Sequence, residues 1–243
     1  MKMKYAMSNG ERREAERGII GQCPICEVPL TPKCGRIRVP HWSHPRGHFD
    51  HHWEPETEWH RRWKNMFPKD WQEVLHRAEN GERHLADVKT ARGQVLEFQH
   101  SEISEEERSS REAIYGEMYW VVDGSRLKND RKSFVKALHL GRRVQQNPLT
   151  CAVPTASSML LRKWENSQKI VVFDFGELED SFGSFSFAAP VLWMSLPERQ
   201  NGETVLRPIS RSGFVDIMSK PPVVEPVRAP GPIWRRPRGY GRL

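Results

Sequence analysis

Residues 85–101, LADVKTARGQVLEFQHS, contain two short apolar segments, each of which carries an acid. The two segments are predicted to form antiparallel strands joined by a turn near Arg92 and Gly93. This pairing places Asp87 opposite Glu97, with Cβ atoms about 5 Å apart. Two like charges at that distance repel, whereas a divalent cation between them would find the oxygen ligands that Mg²⁺ and Mn²⁺ prefer. The alternative is that both acids are solvated on the open face of an antiparallel sheet.

The alternation of side chains along a strand decides which residues share a face. Ala86 and Val88 are expected on one face of the first strand, and Asp87 on the other. Glu97 and Gln99 are expected together on one face of the second strand. A slip of one residue in the pairing would reverse these faces.

Residues 54–67, EPETEWHRRWKNMF, are predicted to form a helix that ends at Pro68. At about 100° per residue, one face of this helix is apolar. That face comprises Trp59, Trp63, Met66 and Phe67. Glu56 lies at the edge of this face, where it can reach the strand acids, although an acid near a helix start also favours the helix dipole. His60 lies one turn further along the same edge, and Glu58 points to solvent.

Three cations of the same helix, Arg61, Arg62 and Lys64, are expected to point outward. Aromatic side chains interleaved with such cations can stack on exposed bases. Tryptophans at helical spacing more often belong to a core, and Trp59 and Trp63 are predicted to be core residues. The outward cations make this helix a candidate contact for nucleic acid.

The segment before the two acid-bearing strands contains Asn80-Gly81, which is a strong signal for a two-residue hairpin turn. Strands are therefore predicted on both sides of it. A helix that begins at Asp70 is the competing interpretation, because Asp70 with Glu73 could form a capping box.

After the two strands, Ser104 with Glu107 predicts a capping box that opens a helix running to about Gly116. Residues 118–124, MYWVVDG, are expected to form a short buried strand. The predicted order of helix, three strands, helix and strand is that of a mixed α/β core. Residues 126–145 are predicted to be helical and basic, and further strands are expected in KIVVFDFG and APVLWMSL.

The composition favours a polyanionic partner. The 243 residues carry a formal charge of +7, with a pI near 9.4, and such a surplus is typical of proteins that bind nucleic acid or an anionic membrane. No apolar run approaches the roughly 20 residues that a membrane span needs. The basic start of the chain has no apolar segment after it, unlike a secretory signal. A cytoplasmic protein with a polyanionic partner is therefore expected, although the surplus could also be ordinary solubility charge.

A separate cluster of cysteine and histidine residues lies in CPICEVPLTPKCGRIRVPHWSHPRGHFDHH. Cys23-x-x-Cys26 followed by His41-x-x-His44 forms two ligand pairs that suit a tetrahedral Zn²⁺. Competitors for the last two ligand positions are Cys34, His48, His51 and His52. A structural zinc is expected rather than a catalytic one, because four protein ligands leave no open position.

Four runs of residues point to a known family. ETEWHRRWK, RHLADV, LEFQHSEIS and REAIYGEMYWVVDG occur in this order, and together they resemble the nuclease domain of competence protein CoiA-like proteins, within the PD-(D/E)XK nuclease superfamily. The resemblance covers roughly residues 20–125 and implies an αβββαβ core with metal-dependent cleavage of DNA. The family also has a CPxC piece followed by a His-x-x-His run, in agreement with the zinc ligands above.

The resemblance implies a role for each acid. Glu56 matches the acid of the family's first helix, Asp87 its strand aspartate, and Glu97 the acid of its third strand. Asp87 and Glu97 are expected to hold one Mg²⁺ or Mn²⁺, with Glu56 completing a second site or binding through water. Such a cation would lower the pKa of a bound water and neutralise charge on the phosphate.

Gln99 stands where the wider superfamily usually has lysine, a departure shared with the CoiA-like group. Glutamine can neither act as a base nor carry positive charge, so Gln99 is expected to orient the nucleophile or contact the phosphate. His60 or Lys64 is expected to take the role of the missing lysine.

On the following helix, Arg111 and Tyr115 share a face and are candidate DNA contacts, although Arg111 could equally pair with Glu107.

The chain is expected to divide into five parts. Residues 1–20 form a polar segment with helical character, 21–53 a zinc-ribbon-like module, and 54–145 the PD-(D/E)XK-like core. Residues 146–220 form an extension with strands, and 221–243 a disordered tail rich in Pro and Arg. The function expected is a metal-dependent deoxyribonuclease in DNA processing or in defence against foreign DNA. The alternatives are a zinc-containing nucleic-acid-binding protein that does not cleave and a zinc-stabilised scaffold for protein interactions.

Overall fold

The computed structural model describes residues 2–36, 39–45, 56–77, 81, 83–176, 181–182, 185–186, 191–200 and 202–222. Within these residues the chain forms a six-stranded sheet, a nine-stranded sheet and a two-stranded ribbon. Five α-helices accompany the sheets in the described ranges. This is the mixed α/β architecture that the sequence predicts. The tail predicted to be disordered lies almost entirely outside the described residues.

The six-stranded sheet is built from the N-terminal part of the chain. Its strands are β1 (Lys2–Met3), β2 (Tyr5–Ser8), β3 (Glu11–Glu14), β4 (Gly21–Gln22), β5 (Pro29–Lys33) and β6 (His41–Ser43). The order β1-β6-β5-β4-β2-β3 joins residues on both sides of position 20 in one sheet. The predicted helical character of residues 1–20 is therefore wrong, because these residues contribute strands to the sheet that also includes β4, β5 and β6. Trp42 is fully buried in this sheet's core, and Gly21 lies against it because a Cβ there would be 2.9 Å from the Trp42 ring.

The next six elements follow the predicted order of helix, three strands, helix and strand. They are α1 (Glu58–Lys64), β7 (Gln72–Arg77), β8 (Arg83–Lys89), β9 (Val95–Gln99), α2 (Glu105–Ile114) and β10 (Met118–Asp123). Strand β7 excludes the competing helix that begins at Asp70. Helix α1 is shorter than predicted, with Thr57 as N-cap and Asn65 as C-cap. Ser104 caps α2 as predicted, but the Glu107 side chain pairs with Arg111 and does not complete a capping box.

The remaining elements extend the same sheet. They are α3 (Lys128–Leu140), β11 (Arg142–Gln146), β12 (Leu149–Pro154), α4 (Met159–Lys163), β13 (Ile170–Asp174), β14 (Ser181–Phe182), β15 (Phe185–Ser186), β16 (Val191–Gln200), β17 (Glu203–Ser210) and α5 (Arg211–Met218). The helix predicted over residues 126–145 is thus wrong in its last part, because Gly141 ends α3 and an exposed strand follows. The expected strands near residues 170 and 191 are confirmed.

The nine-stranded sheet has the order β11-β12-β17-β16-β13-β10-β9-β8-β7. Strands β9, β10 and β13 run parallel at its centre, and the other pairings are antiparallel. One apolar cluster lies beneath α1 and α5 and includes Trp63, Phe98 and Phe214. A second, larger cluster lies beneath α2, α3 and α4 and includes Trp120 and Phe134. The sheet is therefore covered on both faces, as its buried central strands require.

A third cluster joins the two sheets. Met3, Leu30 and Trp42 of the N-terminal sheet pack with Leu85 of β8 and Leu75 of β7. The N-terminal sheet therefore lies against the β7–β8 end of the larger sheet. No helix among the described residues has the length and apolar character needed to cross a membrane.

Candidate active site

Asp87 and Glu97 meet where the ladder between β8 and β9 opens. The ladder pairs Lys89 with Val95 and Val88 with Leu96, which is the predicted register, and it ends there, one residue before Asp87 and Glu97. At this position side chains replace the ladder bonds: the Asp87 amide donates to Glu97 Oε1 at 3.3 Å, and the Phe98 amide donates to Asp87 Oδ2 at 3.0 Å. Both carboxylates are buried, so the alternative of two solvated acids is wrong.

The predicted alternation of side chains breaks at this point of β8. Val88 packs in the cluster beneath α1, whereas Ala86 packs in the cluster beneath α2. The expectation that these two residues share one face is therefore wrong. The irregularity places the Asp87 side chain between the strands, because its oxygens bond Phe98 of β9 and Lys64 of α1.

Lys64 is the central cation of the site. The helical pattern predicts an outward side chain, but only 1% of Lys64 is exposed. Its Nζ lies 2.9 Å from Glu56 Oε2, 2.9 Å from Glu73 Oε1 and 3.0 Å from Asp87 Oδ1. Burial opposes the charged form, but Asp87, Glu56 and Glu73 outweigh it and raise the pKa of Lys64 well above its ordinary value.

Glu56 is buried beside the core as predicted, but its partners are cations. Besides Lys64, the Arg61 Nε lies 3.0 Å from Glu56 Oε1, as an ion pair without hydrogen-bond alignment. Within the described residues, Glu56, Asp87 and Glu97 do not bring three oxygens within 4.8 Å of one another. Lys64 lies between Glu56 and Asp87, and the expectation that Glu56 completes a second site or binds a cation through water stays a prediction.

Arg111 and Tyr115 face the site from α2. Arg111 NH1 lies 3.0 Å from Glu97 Oε2, and its NH2 lies 2.5 Å from Glu107 Oε1. Tyr115 is 3% exposed and hydrogen-bonds the Glu97 side chain. Burial and the Glu97 carboxylate raise the pKa of Tyr115 above its ordinary value. The side chain of Tyr115 is therefore enclosed beside Glu97, and its contact with DNA stays a prediction. The alternative pairing of Arg111 with Glu107 is confirmed.

These side chains line a small cavity of about 20 Å³, which is space for about one water molecule. Its lining comprises Glu56, His60, Lys64, Asp87, Glu97, Phe98, Gln99 and Arg111. Gln99 donates to the Ser101 carbonyl at 3.1 Å. His60 Nδ1 lies 2.8 Å from Thr57 Oγ1 within the capping box of α1. All six residues predicted to be catalytic therefore line one cavity.

The outer cations of α1 have different surroundings. Arg61 NH2 donates to the Pro40 carbonyl at 2.7 Å, and its NH1 pairs with Glu14 at 3.3 Å. These bonds hold Arg61 against the N-terminal sheet, so it is not an outward cation as predicted. Arg62 is exposed as predicted. Met66, predicted in the apolar face of α1, is 38% exposed because the helix ends before it.

Two acids that contact side chains of α1, Glu73 and Asp174, are not among the predicted site residues. Glu73 lies on β7 between Gln72 and Val74, whose ladder partners Val88 and Ala86 flank Asp87 on β8. The Asn80-Gly81 hairpin signal indicates that β7 pairs with β8, which brings Glu73 near Asp87. Asp174 Oδ2 accepts bonds from the indole N–H groups of Trp59 at 3.0 Å and Trp63 at 2.9 Å. No local signal identifies Asp174, because it lies more than 100 residues away in sequence from both tryptophans.

Three of the four predicted zinc ligands lie together in the structure. The ligand atoms of Cys23, Cys26 and His44 lie within 4.8 Å of one another, and Cys26 Sγ is 3.3 Å from His44 Nε2. His41, the fourth predicted ligand, is outside this group and bonds the Val39 carbonyl through Nδ1 at 2.8 Å.

Cys34, one of the alternative ligands, is also outside this group. Cys34 bonds the Ala15 carbonyl at 3.4 Å. His48, His51 and His52 lie outside the described residues.

The donor set of the assembled group fits a metal ion. Two thiols and an imidazole are the ligands of structural metal sites. Burial raises the pKa of the Cys23 thiol to about 11, and a bound cation would stabilise the thiolate instead. The group can therefore hold a metal ion through Cys23, Cys26 and His44.

The acids of the cavity also fit a cation. Three acids and two basic side chains, Lys64 and Arg111, line it, so negative charge is in excess when all are ionised. Burial and the neighbouring Asp87 raise the pKa of Glu97 to about 8, although Arg111 opposes the shift. A divalent cation would relieve this repulsion.

Comparison with known proteins gives no relative for this chain. No protein-family model matches it, and neither curated proteins nor solved structures contain a significant match.

Proposed function

We propose that this protein is a Mg²⁺- or Mn²⁺-dependent deoxyribonuclease that hydrolyses phosphodiester bonds, in DNA processing or in defence against foreign DNA. The observation that carries the proposal is the pairing of Asp87 with Glu97 at a cavity that Lys64 and Arg111 also line. Adjacent carboxylates with cations beside them suit a divalent ion that binds a phosphate. The resemblance of the sequence runs to the nuclease domain of CoiA-like proteins supports the same chemistry.

Asp87 and Glu97 would hold the cation. When bound, it would supply an activated water and neutralise charge on the phosphate. Lys64 is the cation nearest to Asp87, so it takes the role that Gln99 cannot fill and stabilises negative charge at the reacting phosphate. Glu56 holds Lys64 and Arg61 in place.

The wider molecule suits a polyanionic substrate. Its formal charge of +7 attracts DNA, and Arg62 is an exposed cation on the helix that carries Lys64. We propose that Cys23, Cys26 and His44 hold a structural Zn²⁺ in the N-terminal sheet, with a fourth ligand from the protein.

One observation favours a second candidate, a zinc-containing nucleic-acid-binding protein that does not cleave. Each of the four carboxylate oxygens of Asp87 and Glu97 already has a partner in Lys64, Phe98, Asp87 or Arg111. Such a network can hold two elements together without a cation. Under this candidate the protein retains DNA at low salt and leaves it intact.

Incubation with DNA distinguishes the two candidates. Single- and double-stranded DNA are incubated with the full-length protein and Mg²⁺ or Mn²⁺, and products are resolved by electrophoresis. The proposal requires cleavage that Asp87→Ala abolishes and that Asp216→Ala, which removes an exposed acid of α5, preserves. Circular dichroism confirms that both variants fold. Intact DNA with either metal, or equal cleavage by folded Asp87→Ala protein, would contradict it.

A further inference from the structure

Glu73 links the N-terminal sheet to the cavity. Its carboxylate accepts main-chain N–H groups of that sheet, from Lys4 to Oε1 and from Tyr5 to Oε2, both at 2.8 Å. The same Oε1 accepts a bond from Lys64 Nζ at 2.9 Å. Glu73 is 4% exposed, so none of these bonds is weakened by contact with bulk water. The carboxylate therefore joins β2 and the residue before it to the cation of the candidate active site.

The backbone at Glu73 is strained in a way that serves these bonds. Its φ is +47°, in the left-handed region that a residue with a Cβ seldom adopts. A conformation of this kind costs of order 1–3 kcal/mol and persists only where its surroundings enforce it. The ladder between β7 and β8 pairs Gln72 with Val88 and Val74 with Ala86 but leaves Glu73 out. The local distortion turns Glu73 toward Lys4, Tyr5 and Lys64 instead of along the sheet.

A second set of bonds reinforces the same junction. The Lys4 ammonium donates to Gln72 Oε1 at 2.7 Å and to Asn65 Oδ1 at 2.5 Å. Gln72 and Asn65 are the chain neighbours of Glu73 and Lys64. The start of the N-terminal sheet therefore fixes both the carboxylate and the lysine.

We propose that Glu73 is a positioning residue: held by the amides of Lys4 and Tyr5, it fixes the Lys64 ammonium against Asp87. Its consequence for catalysis rests on the proposed nuclease function. Both carboxylate oxygens are needed, because two amide donors and an ammonium group converge on them. Glutamine offers one oxygen and turns an N–H group toward a donor, so it cannot hold all three. Without Glu73, the amine of Lys64 shifts toward Glu56 and its alignment on Asp87 is lost.

A matched pair of variants tests this role in the full-length protein. Glu73→Gln removes the proposed function of the carboxylate. Glu112→Gln is the control, because Glu112 is also buried and accepts bonds from the Gln168 amide at 2.9 Å and Trp120 Nε1 at 3.0 Å, away from the cavity. Both variants lose buried hydrogen bonds, so a loss of stability is common to both. Only Glu73→Gln is expected to change the site.

Kinetics provide the first readout. We expect Glu73→Gln to lower kcat for DNA by about tenfold to a hundredfold with KM little changed, because Glu73 acts through Lys64 and does not contact substrate. Glu112→Gln should retain kcat at temperatures where it is folded. Equal kcat in folded Glu73→Gln and wild-type protein would overturn the proposal.

Two further readouts do not depend on cleavage. Acetylation of lysines, followed by mass spectrometry, should modify Lys64 faster in Glu73→Gln than in wild-type protein. Amide hydrogen exchange, followed by NMR, should accelerate at Lys4 and Tyr5 in the same variant. Glu112→Gln should match the wild type in both measurements.

The outcomes separate the two proposals. If wild-type protein does not cleave DNA but both rates rise in Glu73→Gln, the nuclease proposal fails and the positioning role stands. Unchanged acetylation of Lys64 and unchanged exchange at Lys4 and Tyr5 would overturn the positioning role in either case. If Glu73→Gln does not fold, the comparison is made with Glu73→Asp, which keeps the charge and shortens its reach by one methylene.

Discussion

The ionisation of Glu97 controls how tightly a cation can bind to the cavity. Burial and the charge of Asp87 raise the pKa of Glu97 to about 8, whereas a bound cation requires the carboxylate. At this pKa, Glu97 is ionised in roughly 1% of molecules at pH 6 and in roughly half at pH 8. The association constant for Mn²⁺ should therefore rise roughly fiftyfold over these two pH units.

Isothermal titration calorimetry at pH 6, 7 and 8 measures this change. Repeating each titration in buffers of different ionisation enthalpy counts the protons released, and we expect close to one per Mn²⁺ at pH 7. Glu97→Gln is the matched control, because it retains the group of Cys23, Cys26 and His44. Binding that remains in the control does not require Glu97 and is subtracted.

The sign of the effect on stability is opposite to that on binding. Glu97 has an ordinary pKa of 4.5, and its folded-state pKa is about 8, so between these values the unfolded chain releases a proton that the folded protein keeps. The free energy of unfolding of the cation-free protein should therefore fall as the pH rises through this range, and Mn²⁺ should restore it. An Mn²⁺ affinity that is constant from pH 6 to 8, or is undiminished in Glu97→Gln, would refute the assignment of Glu97 as a ligand.

Three further predictions concern the rest of the fold. Cys26→Ser should reduce the metal bound by purified protein, measured by inductively coupled plasma mass spectrometry. It should also lower the melting temperature, because a metal that binds only the folded state stabilises it. Equal metal content in the variant and the wild-type protein would contradict this prediction. Asp174→Asn should cost about 3–5 kcal/mol in urea denaturation, because it removes a buried carboxylate charge 2.7 Å from the largely enclosed Arg211 guanidinium. A change below about 1 kcal/mol would exclude a tight ion pair. Gly21→Ala should lower the free energy of unfolding by about 1–3 kcal/mol in the same assay, because the added Cβ would lie 2.9 Å from the Trp42 ring. An unchanged urea midpoint would show that the ring can move away at no cost.

Much of the candidate site follows from local patterns. The glycine turn near residue 93 sets the register that brings Asp87 opposite Glu97, and the structure has the same register. The Cys-x-x-Cys spacing brings Cys23 and Cys26 together, because two residues between the ligands permit a tight turn. Such predictions succeed because the residues involved are close in sequence and one element of known geometry connects them.

The prediction that Lys64 points outward is wrong, because the partners of its side chain lie outside α1. A helical wheel assigns an outward direction to any residue off the apolar face, but α1 is short and is contacted from more than one side. The larger sheet contacts Trp63 through Asp174, while Glu73 and Asp87 enclose Lys64. Charged side chains are buried where opposite charges compensate them, and no pattern within α1 reveals those partners.

The sequence by itself determines the order of the central elements, the pairing of Asp87 with Glu97, and the proximity of Cys23 to Cys26. Turn residues, strand alternation and ligand spacing act over a few residues, so they can be evaluated without the rest of the chain. The tertiary structure decides that Lys64 is buried among acids and that Glu73 connects it to the N-terminal sheet. It also decides that Glu56 pairs with Lys64 and Arg61. These contacts join distant strands and helices, and their free energies depend on burial and on opposing charges that only packing brings together.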